Sequence, residues 1–133
     1  MAARRTVDAA LTRVRAICAA LPDVEERPSH GAPTFFLKVK GKKSFVMFHD
    51  DHHGDGILGI WCAAPPGVQA ELVETEPDRF FVPAYVGHRG WIGVRLDRSP
   101  DWAELGDIVT QAYCHVAPKT LVAKITPNPP GDQ

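Results

Sequence analysis

The chain has 133 residues, 44% of them apolar, which suits one domain with a real core and leaves no room for two. Fifteen Lys and Arg stand against 16 Asp and Glu, a formal charge of −1, so overall charge supplies no pull toward nucleic acid and such binding would need a local basic patch. Three scattered cysteines, Cys18, Cys62 and Cys114, argue against a disulfide framework and against a zinc motif; each lies in an apolar segment and reads as a buried, reduced thiol. Arg4 and Arg5 precede an amphipathic stretch, not a continuous apolar one, so no signal peptide and no membrane span are expected, and the expected compartment is the cytoplasm.

In chain order, residues 6 to 21 are expected to form a helix, with Thr6 as cap and an apolar stripe of Val7, Leu11, Val14, Cys18 and Leu21. Pro22 should end it. An extended piece follows from Val24 to Arg27, then the turn-rich PSHGAP, residues 28 to 33. Strands over 34 to 40 and 43 to 49 read as a hairpin closed at Gly41-Lys42. Its tip gathers Lys38, Lys40, Lys42 and Lys43, either as a guard on a sheet edge or as phosphate contacts. The polar run from His49 to Asp55 holds metal-ligand types, but adjacent loop residues splay apart, and a solvated loop is the simpler reading. Residues 57 to 62 alternate as a strand, and Pro66 to Thr75 reads as a second helix.

The chain is organised around residues 80 to 96, FFVPAYVGHRGWIGVRL. Ile92, Val94 and Leu96 alternate strictly with Trp91, Gly93 and Arg95, as in a half-buried strand. The turn before it brings Tyr85, His88, Arg89 and Trp91 within seven positions. Arg89 could bind phosphate or carboxylate bidentately, with Tyr85 and Trp91 flanking a flat ligand; alternatively Arg89 pairs with Asp78 or Asp97 and His88 caps backbone. Last comes a helix with Ser99 as cap, Pro100 in first position, and Trp102, Leu105, Val109, Ala112 and Val116 on one face. Residues 126 to 133 are proline-rich and expected to be disordered, leaving 1 to 125 as the domain.

These elements give an α+β domain: an antiparallel sheet with helices packed mainly on one face. The other face should stay partly open and carry Phe36, Lys38, Trp61, Trp91 and Arg95. Nothing resembles a nucleophile elbow, a phosphate loop or a placed acid/base pair, so no catalytic residue, no metal and no cofactor is expected.

The stretches FFVPAYVGHRGWIGVRLD, PSHGAPTFFLKVKGKKSFVMF, APPGVQAELVETEPDRFF and VAPKTLVAK resemble, in this order, the signature of the MmcQ/YjbR-like family, covering about residues 9 to 124. The resemblance implies a CyaY-like (frataxin-like) fold, and, through its likeness to a double-wing module, DNA as a candidate partner. It carries no catalytic residues over. Where some relatives have a tryptophan before the glycine of the early turn, this chain has His30. Frataxin-like iron binding does not transfer, because the first helix bears Arg4, Arg5, Arg13 and Arg15 in place of acids. The expected role is thus a cytoplasmic binding module without catalysis. Lys38, Lys40, Lys42, Lys43, Arg89 and Arg95 are its candidate nucleic-acid contacts, and Tyr85, His88 and Trp91 a ligand or partner surface. The alternative is a protein- or small-ligand-binding module that uses residues 85 to 91 without DNA; oligomeric state is left open.

Overall fold

The computed structural model describes residues 4–125; the tail expected to be disordered lies outside them. Helix α1 (Arg4–Ala19) is followed by strands β1 (Val24–Ser29), β2 (Ala32–Leu37), β3 (Ser44–Asp50) and β4 (Leu58–Cys62). Helix α2 (Val68–Thr75), strands β5 (Phe80–Phe81) and β6 (Ile92–Arg95), and helices α3 (Trp102–Val116) and α4 (Lys119–Ile125) complete it. The six strands form one antiparallel sheet in the order β1-β2-β3-β4-β6-β5. No helix among the described residues is long and apolar enough to cross a membrane.

Strand periodicity assigns the two sheet faces. Leu37, Phe35, Val46, Phe48, Ile60, Cys62, Ile92, Val94 and Phe80 share one face through register, and all are buried. Val7, Ala10, Val14 and Cys18 of α1 and Leu105, Val109, Ala112 and Tyr113 of α3 close the core against it. Phe45 meets the Tyr113 ring edge-on at 5.5 Å, and the Tyr113 hydroxyl donates to the Pro22 carbonyl at 2.6 Å, tying α3 to the end of the first helix. The guanidinium of Arg15 grips both oxygens of Glu26 at 2.8 Å, fastening α1 to β1, and Arg79 bridges Glu76 and Glu104, fastening β5 to α3.

Several local expectations are corrected. Thr6 lies inside α1, and α3 is capped by Asp101, whose carboxylate accepts from the Ala103 and Glu104 amides; Ser99 instead takes a left-handed φ of 49° upstream. Gly67, not Pro66, precedes the first turn of α2. The PSHGAP segment is mostly strand: only His30 and Gly31 turn, both at positive φ, as in a two-residue hairpin whose twist matches its strands. The lysine hairpin is shorter in strand and longer in loop than expected, spanning 38–43, and it joins two interior strands. Edge protection therefore falls to β1, with Glu25, Glu26, Arg27 and Pro28, and to the two-residue β5.

The second face does carry Phe36, Trp61 and Arg95, as the alternation indicates, but it is not open at its centre. Trp61 is 4% exposed and Trp91 3%. The segment after β5 and the histidine loop after β3 fold over this face, so strands β4 and β6 are buried on both sides.

Candidate ligand pocket on the second sheet face

Met47 and Trp61 are register partners on β3 and β4, and they form the floor of a cavity of about 710 Å³. His49 stands two residues further along the same face, opposite Gly59. Because glycine has no side chain there, the His49 ring leans diagonally onto Trp61, with centroids 3.8 Å apart and planes 33° apart. Gly59 is required for a second reason: a Cβ would fall 2.6 Å from the Val94 carbonyl oxygen of β6.

Past Asp50 the chain reverses through Asp51 and His53, both in the left-handed region, around a single 3-10 turn. The loop's acids hold its own backbone: Asp51 accepts from the Gly56 amide at 2.7 Å, and Asp55 from the Ile57 amide at 2.9 Å. That leaves the imidazoles facing the cavity. His52 lies edge-on to His49 and to Trp61 at 4.8 Å each, and His53 edge-on to His52 at 4.1 Å.

The segment between β5 and β6 supplies the remaining wall. Gln69 of α2 donates its side-chain amide to the carbonyls of Gly87 and Trp91 and so anchors the segment. Tyr85, at a left-handed φ of 63° and 71% exposed, places its ring 5.8 Å from His52 and 6.5 Å from His53. Val86 lines the cavity beside it, and Ser29 and His30 of the β1–β2 turn close the opposite flank.

Burial disfavours a charged imidazole here. Desolvation, then the neighbouring His52, pulls His49 from 6.5 down to about 4, against a smaller opposing pull from Asp55. His52 is lowered for the same leading reason. Nε2 of His49 is buried and makes no hydrogen bond. The rings stack where metal ligands would have to converge, and the described residues include no group of three or more His, Cys, Asp or Glu able to hold a metal ion. Burial disfavours the thiolate of each cysteine, pushing Cys62 up to about 12 and raising Cys18 and the partly buried Cys114.

The sequence-predicted residues divide among four places. Tyr85 joins the cavity. Arg89 and His88 are exposed on a 3-10 turn, and Arg89 lies over the Trp91 ring at 5.2 Å; Trp91 does not line the cavity, and the indole that does, with Tyr85, is Trp61. Neither Asp78 nor Asp97 pairs with Arg89. Asp97 is held bidentately by Arg95 at 2.9 Å, which raises the guanidinium and lowers the carboxylate. Lys38, Lys40, Lys42 and Lys43 are all exposed on their loop, where Lys40 and Lys43 border a shallow cleft with Val116, Ala117 and Pro118 at the end of α3. They are thus grouped with the helix side, while Arg89 belongs to the segment covering the second face.

A family model described as YjbR matches residues 19–115, from the end of α1 through the whole sheet and α2 to the end of α3. The chain belongs to the YjbR family. The crystal structure of Deinococcus radiodurans protein DR2400, which carries the family-model domain DUF419, is similar with a TM-score of 0.69 at 20% identity, over 92% of this chain and 94% of that one, and so shares the fold. No curated protein matches. In this YjbR chain, Tyr85 is the cavity residue that sequence reasoning put in a site; Ser29, His30, Met47 and Val86 it did not, Trp61 it placed on the second face without a site, and His49, His52 and His53 it read as a solvated loop. One signal was available: Met47, His49 and Trp61 all fall on the outward parity of their strands, so the start of the histidine run belongs to the sheet and not to the loop.

Proposed function

We propose that this YjbR domain is a small-ligand-binding module, acting by binding and not by catalysis, with its ligand in the cavity between the histidine loop and Tyr85. The observation that carries this reading is a single concave space of suitable volume whose floor and walls are mostly rings, with a few polar nitrogens among them. The exposed, left-handed Tyr85 supports it, since a large ring in sterically disfavoured backbone is commonly held for a task. A fragment screen by NMR tests it. Hits should move the indole N–H signal of Trp61 and the ring signals of His49 and His52 together. Hits that move only scattered surface amides would refute the cavity as the binding site.

A second reading, DNA binding, is favoured by one observation. Four exposed lysines share the 38–43 loop, and among the described residues none of them makes an ion pair. Against it stand the separation of that loop from Arg89 and the engagement of Arg95 by Asp97. Fluorescence anisotropy with labelled duplex across a salt series decides it. Binding with a slope of about 0.9 per phosphate contact, flattened when the lysines become alanine, establishes DNA; no binding at about 50 mM salt removes it.

A further inference from the structure

With the cavity taken as the binding site, we infer that its ligand is a flat aromatic acid, with its ring on the Met47–Trp61 floor beside Tyr85 and its anionic group at the imidazoles of His30, His52 and His53. Three features of the wall select this class.

The first is shape and surface. The floor pairs a thioether with an indole, and His52 stands nearly perpendicular to both Trp61 and Tyr85 in the wall. Such walls favour a π face over a saturated chain, through edge-to-face and sulfur–aromatic contact. A volume of about 710 Å³ suits one ligand of one or two fused rings with a polar substituent.

The second is charge. Four of the six histidines of the chain line the cavity, and no carboxylate does. The acids of the histidine loop, Asp51 and Asp55, are turned onto the backbone amides of Gly56 and Ile57, and Asp55 acts on His49 and His52 only as a minor opposing charge. A cationic ligand would find ring faces and imidazole acceptors but no carboxylate, whereas an anion meets imidazole N–H donors whose bonds shorten and strengthen with charge. Arg27 lies on this face two positions before Ser29, with its guanidinium over Phe36, but its charge is paired with Glu25 at 3.4 Å, so the imidazoles carry the recognition.

The third is the division of labour among the rings. His49 is packed on Trp61 with Nε2 buried, so it shapes the floor. His53 and Tyr85 are exposed and can be changed without disturbing the core.

Titrations with 2-naphthoate, its uncharged analogue 2-naphthamide and the saturated cyclohexanecarboxylate test each part, followed by tryptophan fluorescence and by NMR of the indole and imidazole signals. The expected result is binding of 2-naphthoate in the cavity, with the other two about tenfold weaker or more. His53→Gln and Tyr85→Ala should each weaken 2-naphthoate about threefold or more while the circular dichroism spectrum stays unchanged. Equal binding of 2-naphthamide would overturn the acid requirement, and equal binding of cyclohexanecarboxylate the ring requirement; in both cases the cavity still stands as a site. If none of the three moves the cavity signals at about 10 mM, where even a weak site fills, the cavity reading itself fails.

Discussion

The two faces of the sheet are made from the same six strands, yet they are built on different principles. The helix-covered face is aliphatic and aromatic throughout, closed by α1 and α3, and every inward side chain on β4 and β6 is fully packed. The second face is assembled from Met47, His49, Trp61, Phe81 and Arg95, covered only by loops, and keeps a cavity. Close packing yields stability. A face that combines imidazoles with open volume gives up some stability and gains a place for a ligand.

The largest test of that contrast is a pair of truncations. Ile60 is completely buried on the helix face, and Ile60→Ala should lower unfolding free energy by about 2–5 kcal/mol, because the change leaves a new hole. Met47, on the other face, already borders empty space, so Met47→Ala should lower it by about 1 kcal/mol or less. Urea midpoints with unchanged slopes would check both. Equal losses at the two sites would erase the distinction between the faces.

Next in size is Gly93. It sits opposite Phe81 in register, and the Phe81 ring lies where an added Cβ would project. Gly93→Ala should therefore cost about 1–3 kcal/mol. In the Phe81→Ala background the same change should cost much less, since the obstructing ring is gone. Additive losses would show that backbone, not the ring, fixes glycine at this position.

Much of the first face was legible in the sequence and much of the second was not, for physical reasons. Alternation over 58–62 and 92–96 and the three-and-four spacing of α3 are consequences of burial on one side, so they reveal the core directly. The sheet's cover is a long-range matter: nothing local to Trp91 says that Gln69 will pin the segment above it, and Trp91 therefore read as exposed. The two-residue β5 is too short for any period. The histidine run read as solvated loop because its polar character dominates, although the strand over 43 to 49 already held its first member; what local sequence did not show is that parity aims that ring at Trp61. Cap placement slipped for a similar reason: Ser99 and Asp101 are both good caps, and only the path from β6 chooses Asp101.

The protonation of His49 separates the faces at intermediate size. Its folded value of about 4 lies below the ordinary 6.5, so the unfolded chain takes up a proton first as pH falls. The His49 contribution to stability is unchanged above pH 6.5, declines between pH 6.5 and about 4, and levels off below. The full difference corresponds to about 3 kcal/mol, and to roughly half that with the open edge of the ring in water. His49→Phe should remove this decline, with urea midpoints at pH 7 and pH 5 drawing together. A decline of the same size in the variant would assign the acid sensitivity to other groups.

The smallest expected effect concerns Tyr85. Its ring is exposed and its backbone is left-handed, a conformation glycine adopts freely and a side chain does not. Tyr85→Gly should leave stability unchanged or raise it by up to about 1 kcal/mol, through relief of that strain offset by the entropy of a freer chain. A ring serving only to pack should destabilise when removed, as at Ile60. A ring serving a ligand should be dispensable for folding and needed for binding. Measured in one sample, an undiminished melting temperature together with loss of fragment binding at Trp61 would place Tyr85 with the cavity's work. A clear drop in stability would instead make it part of the cover over the second face, held in strained backbone because the fold there needs it.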